Sequence, residues 1–157
     1  KLASGHDGEG ISWDSSDFAG VYYQLDVNPG ETIRVSAWTY SWSGESDSQI
    51  VNEAWVKQRV GIDPSGKTNP QSSNVHWSTP AQFVGEWGQI QTEATATNNT
   101  VTIYLAADPD KAKPYNQIVF DDVKVYLVSY PLETISSSVG AAPTPDPLII
   151  GLVSGAG

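Results

Sequence analysis

Apolar and polar residues alternate with a period of two along most of the stretch from residue 21 to residue 128. That period sends successive side chains to opposite faces of an extended strand, and no 3.6-residue repeat competes with it. Val21, Tyr23, Leu25 and Val27 alternate with Tyr22, Gln24 and Asp26 until Asn28-Pro29-Gly30 turns the chain. Ile33, Val35 and Ala37 alternate with Arg34, Ser36, Trp38, Tyr40 and Trp42. Val56, Val60 and Ile62 alternate with Trp55, Lys57 and Arg59, and Asp63-Pro64-Ser65-Gly66 ends that strand as a turn. A polar loop over 64–74 leads to a short strand near 75–78. Residues 88–97 and 100–108 are expected to form a hairpin about Asn98-Asn99, and a last strand covers 117–128. Six to eight strands with short turns predict an all-β, two-layer antiparallel β-sandwich. Val21, Leu25, Val35, Val60, Ile103 and Phe120 are expected inside it.

At 157 residues the chain has the size of one domain and can bury a real core. Eight Lys+Arg against eighteen Asp+Glu leave a net charge of −10, a field that repels nucleic acid and anionic membranes. Cysteine is absent, which excludes disulfides, a thiolate nucleophile and cysteine-based metal sites. The chain starts at Lys1 without Met, as either a processed exported protein or a trimmed piece of a longer one would, and its Ser/Thr/Asn/Gln-rich, Lys-poor composition predicts a secreted, extracellular or cell-surface protein.

Several segments carry a family resemblance: Gly20-Val21-Tyr22-Tyr23-Gln24-Leu25-Asp26-Val27, then Pro29-Gly30, then Ile33-Arg34-Val35-Ser36-Ala37-Trp38. Val60-Gly61-Ile62-Asp63-Pro64-Ser65-Gly66, Val101-Thr102-Ile103-Tyr104-Leu105 and the closing Val119-Phe120-Asp121-Asp122-Val123 continue it. In these the chain resembles the jelly-roll carbohydrate-binding modules found beside bacterial glycoside hydrolases and in large surface proteins. The resemblance covers about two-thirds of the chain and implies a jelly-roll sandwich that binds polysaccharide without catalysis. Such modules open with a strand carrying an Asn-Gly-x-Phe-Glu-like motif beside the closing strand, and nothing before Gly20 reads that way. They often hold a structural Ca²⁺, for which Asp121 and Asp122 are candidate oxygen ligands, against the plainer use of acidic clusters as solvated surface. With the customary Glu missing, Asp7, Glu9, Asp14 or Asp17 would have to complete the six to eight oxygens that calcium takes. No cofactor is required.

Trp38, Tyr40 and Trp42 project from one face of a strand, and Trp55 projects with Lys57 and Arg59 from another. Aromatic platforms beside polar groups suit sugars, whose apolar faces stack while their hydroxyls find hydrogen bonds. Trp38, Tyr40, Trp42, Trp55 and Arg59 are therefore the candidate glycan-binding set, against the plainer use of such rings in a core or a subunit interface. Trp77 and Trp87 are expected to pack the sandwich edge. Enzymatic readings find little purchase. His6 and His76 are isolated, no Gly-x-Ser-x-Gly elbow exists, and no spacing singles out Glu53 and Glu93 as a glycosidase pair. Asn98-Asn99-Thr100 matches a glycosylation sequon at a site where a turn wants Asn anyway.

The chain divides into a β-sandwich over 1–130, a Pro-rich arm over 131–147 and an apolar tail over 148–157. Residues 148–153 read Leu-Ile-Ile-Gly-Leu-Val, far short of the ~20 needed to span a bilayer but the length of one strand. The arm can extend ~50 Å at polyproline rise. Leu148, Ile149, Ile150, Leu152 and Val153 are candidate subunit-linking residues, a donor strand for a sandwich that lacks its opening strand. The first functional expectation is a non-catalytic subunit whose copies assemble into a surface filament by strand donation. The alternative is a glycan-binding module of a larger secreted protein.

Overall fold

The computed structural model describes residues 2–4, 19–46, 48, 50–111 and 113–129. The strands, in chain order, are β1 (Leu2–Ser4), β2 (Ala19–Asp26), β3 (Thr32–Gly44), β4 (Lys57–Asp63), β5 (His76–Trp77), β6 (Gly88–Thr95), β7 (Thr100–Asp108) and β8 (Tyr115–Ser129). They form two four-stranded antiparallel sheets, ordered β1-β8-β3-β6 and β2-β7-β4-β5. Apart from β4 and β5, which pair with each other, successive strands pass from one sheet to the other in the double Greek key of a jelly roll. No described helix is long and apolar enough to cross a membrane. The expected arm and tail fall outside the described residues.

Alternation places the core. Ile33, Val35 and Ala37 of β3 face Val60 and Ile62 of β4, with Ile90, Ala94, Val101 and Ile103 closing the cluster. Leu25 and Phe120 pack against it, half-buried. Phe120 also reaches a smaller cluster of Ala54, Val56, Ala107 and Ile118. The Asp63-Pro64-Ser65-Gly66 turn forms as expected. Asp63 Oδ1 accepts from the Ser65 N–H at 2.8 Å and hydroxyl at 2.6 Å, and Gly66 takes the positive φ of 73° that the turn requires.

Three expectations are corrected. Residues 88–97 and 100–108 are not a hairpin: β6 pairs with β3, whereas β7 lies in the other sheet between β2 and β4. The intervening loop crosses the sandwich because Ala94, Ala96 and Val101 all bury in the core. Thr97 ties that crossing to the Pro64 carbonyl through its N–H and its hydroxyl. A strand does precede Gly20, since β1 pairs with the start of β8, Leu2 opposite Ile118 and Ser4 opposite Asn116. It covers only that end of β8. Val21, finally, is not buried but 49% exposed, and Tyr23 beside it is 68% exposed. Both face inward, towards the inner face of β8, yet no described element fills the space between β2 and β8 on that side.

The closing Phe120-Asp121-Asp122-Val123 is a β-bulge. Trp38 pairs with Asp121 and Ser36 with Lys124, so β8 spends one residue more than β3 across this step. Asp122 takes the extra place with φ 47°, and its N–H is held by the Asp121 carboxylate at 2.7 Å. The bulge restores the inward direction at Val123, Val125 and Leu127.

Candidate functional site

The odd-numbered side chains of β3 enter the core, so Trp38, Tyr40 and Trp42 stand on the outer face of the β1-β8-β3-β6 sheet. Cross-strand register sets their neighbours. Trp38 lies between Gln89 and Asp121, Tyr40 beside Val119, and Trp42 beside Gln117. Beyond the end of β6, β3 is flanked by two loop segments. Ser41 bridges Val84 and Ser43 bridges Asn52, with the Ser41 N–H donating to Phe83 O and the Ser43 N–H to Val51 O, each at 2.8 Å.

A buried amide fixes the first of these loops. Gln58 projects inward from β4, where its Nε2 donates to Phe83 O at 3.1 Å and its Oε1 accepts the Phe83 N–H at 2.8 Å. Gly85 then turns with φ 72°, and the chain returns to β6 with Trp87 lying over Tyr40. The ring centroids are 5.6 Å apart, and Tyr40 meets Trp42 edge to face at 5.7 Å. A row of three rings, Trp42–Tyr40–Trp87, thus crosses the outer face, with Trp38 farther along the same strand. Trp87 is 48% exposed and Trp38 40%, while Tyr40 and Trp42 are half-buried. Rings locked against each other on one side and open on the other offer a flat apolar surface at little entropic cost. Gln89, Gln91 and Asp121, all exposed, set amide and carboxylate groups beside it.

Trp55 stands on the loop between β3 and β4, 53% exposed, at a positive φ of 53° that is rare for a bulky side chain. Neighbouring side chains impose that conformation. Asn52 Oδ1 accepts the Val56 N–H at 3.0 Å, and Ser43 Oγ accepts the Ala54 N–H at 2.8 Å. Arg59 lies elsewhere. It projects from the outer face of the β2-β7-β4-β5 sheet, its guanidinium 4.8 Å from the Trp77 ring centre and 3.8 Å from the Asp108 carboxylate. Two packed sheets, ~10 Å apart, separate it from the β3 rings. On that second face Trp77 stacks towards Tyr104 and lies on Gly61, where a Cβ would come within 2.6 Å of the indole. Burial, with help from Asp63 and Tyr22, pushes the Tyr104 hydroxyl up to about 12.

Asp121 and Asp122 do not assemble a calcium site with the described residues. Asp122 pairs with the Lys124 ammonium at 2.5 Å, which raises the lysine's pKa, and Asp121 holds the Asp122 N–H. Two carboxylates, one of them neutralised, fall well short of six to eight oxygens. Among the described residues no three His, Cys, Asp or Glu side chains converge. Asp7, Glu9, Asp14 and Asp17 lie outside the described residues, as does His6. Glu53 is paired with Lys113 at 2.6 Å and Glu93 with Arg34 across the strands, so both carboxylates are engaged in surface ion pairs.

Trp87, expected at the sandwich edge, instead belongs to the ring row. Its signal in the sequence was Gly85-Glu86-Trp87-Gly88, a tryptophan bracketed by the residues that permit a tight return. No family model and no curated protein matches the sequence. Three solved structures are similar in fold. TmCBM61 in complex with beta-1,4-galactotriose has 14% identity and a TM-score of 0.42, over 69% of this chain and 61% of that one. The EclA C-terminal domain, a sugar-binding protein, has 13% identity and a TM-score of 0.44, over 78% of this chain and 87% of that one. Xyl-CBM35 in complex with a glucuronic acid-containing disaccharide has 9% identity and a TM-score of 0.38, over 80% of this chain and 88% of that one. The chain spans about three-fifths of the length of the first of these.

Proposed function

We propose that this chain is a non-catalytic carbohydrate-binding domain of an extracellular protein, which holds a polysaccharide on the outer face of the β1-β8-β3-β6 sheet. The observation that carries the reading is the row Trp42–Tyr40–Trp87, continued by Trp38 and open to solvent on one side. Sugar rings present flat C–H faces to such a surface, and Gln89, Gln91 and Asp121 are placed to exchange hydrogen bonds with the hydroxyls. The net charge of −10 argues against nucleic acid as the ligand of those rings. Titration of soluble oligosaccharides against intrinsic tryptophan fluorescence, guided by a glycan array, tests the proposal. A saturable change that Trp87→Ala weakens is expected. No binding to any glycan on the array would sink it.

A second reading has an observation of its own. Assembly of copies into a surface filament, with residues 148–153 of one chain entering the next, is favoured by the open apolar groove between β2 and β8. The two readings use different faces and are compatible.

A further inference from the structure

On one side the sandwich is open between β2 and β8. Val21 and Tyr23 of β2 face Val123 and Val125 of β8 across a groove floored by Ile103 and Leu105, and no charged side chain among the described residues lines it. The adjoining strands leave backbone groups unpaired by any described strand. Among the described residues β8 is paired on its outer side only at 116–118, by β1, and β2 pairs only with β7. Two apolar inner faces between two free edges match the requirements of a β-strand, which supplies backbone groups to the edges and alternate side chains to the floor.

We propose that the occupant is the chain's own segment 148–153, added as a strand between β2 and β8. This inference rests on the groove and is independent of the sugar reading. The segment carries no charge, and its alternation puts Leu148, Ile150 and Leu152 on one face. That face enters the groove, leaving Ile149, Gly151 and Val153 outside. Reach decides between this chain and a neighbour. Eighteen residues, 130–147, separate the end of β8 from Leu148. A stretch of that length can reach up to ~60 Å, which covers the ~20 Å path back along β8 from Ser129 to Val123. The chain's own groove thus sees the tail at an effective concentration in the millimolar range, which copies in dilute solution do not match. Residues 5–18 are the other stretch outside the described set near this edge. They carry Asp7, Glu9, Asp14 and Asp17, which a groove without a cation does not suit.

Because the chain has no cysteine, introduced pairs report a single contact. Full-length chains carrying Ile150→Cys with Val21→Cys, Val123→Cys or Val125→Cys would be oxidised at low micromolar concentration and run on a non-reducing gel. At least one pair is expected to close within a single chain, which migrates faster than its reduced form, while Ile149→Cys closes with none. Covalent dimers or ladders instead would overturn insertion into the chain's own groove and favour the filament. No cross-link at all, or cross-links formed by Trp13→Cys rather than Ile150→Cys, would overturn the tail as occupant. A second measurement does not depend on cysteine geometry. Ile150→Asp should expose the groove and raise the fluorescence of an apolar dye several-fold, and an unchanged signal would equally reject the proposal.

Discussion

Trp87 owes its position to its neighbours more than to its own strand. Gly85 takes a φ of 72° to start the return, and Gly88 packs so closely on the Phe83 ring that no side chain fits there. With Tyr40 beneath it, the indole is presented rather than buried. Removing such a centrally packed ring from a binding surface typically costs about 2 kcal/mol, a ~30-fold loss in affinity. Trp87→Ala and Trp38→Ala should each show a loss of that order in oligosaccharide titrations. Tyr22→Ala, on the exposed outer face of the other sheet, should leave affinity unchanged. Equal affinities in all three variants would move the ligand to another surface. A second residue works on stability. Glu31 closes the Asn28-Pro29-Gly30 turn, its carboxylate accepting the Asn28 backbone N–H at 2.7 Å and side-chain amide at 2.8 Å. Those bonds, the backbone one foremost, hold its pKa below the usual 4.5. A carboxylate with a lowered folded-state pKa contributes fully above its unfolded value, and the contribution disappears as pH falls through the lowered one. Melting temperature should therefore fall more steeply below pH 4.5 in the native chain than in Glu31→Gln, and parallel profiles would contradict this.

At the level of elements, Gln58 couples the two sheets. Its side chain comes from β4, yet it satisfies both backbone groups of Phe83 in the loop that carries Trp87. Gln58→Leu keeps the bulk and leaves those groups unpaired, at a cost of about 1–3 kcal/mol. Denaturant unfolding should register that loss, and sugar affinity should drop with it because the Trp87 loop loses its anchor. Full stability in Gln58→Leu would show that the loop finds other partners. The periodicity made the strands legible: 100–108 coincides with β7, and the ends of the other expected segments lie within about two residues of the observed ones. Alternation also placed Trp38, Tyr40 and Trp42 together on one face of β3, and it is the packing of the opposite face on the core that turns them outward. Pairing was less legible. Local turn chemistry at Asn98-Asn99 favours a hairpin, and only the burial of Ala94, Ala96 and Val101 between the sheets sends the chain across instead. Gln58, at a position where alternation asks for an apolar residue, was unreadable without the loop it pairs with. The grouping of Arg59 with the aromatic set had no way to register that its strand belongs to the other sheet.

For the molecule as a whole, the proposed sugar binding makes charge the term that selects among glycans. Five of the eight lysines and arginines, Arg34, Lys57, Arg59, Lys113 and Lys124, already sit in ion pairs with carboxylates. The negative field is therefore left without a compensating basic patch among the described residues, and Glu86 and Asp121 stand next to Trp87 and Trp38 in sequence and in register respectively. A neutral polysaccharide meets no barrier, since stacking and hydroxyl hydrogen bonds are short-ranged. A polyuronate or sulfated glycan meets repulsion that extends over the Debye length, ~30 Å at 0.01 M salt and ~10 Å at 0.1 M. Affinity for a neutral glycan should then be nearly constant between these salt concentrations. Any polyanionic glycan should bind more weakly at 0.01 M, improve as salt is added, and remain the poorer ligand. The opposite slope, with polyanion affinity falling as salt rises, would require a cationic site that this charge distribution does not provide, and would place binding on residues outside the outer face of β3.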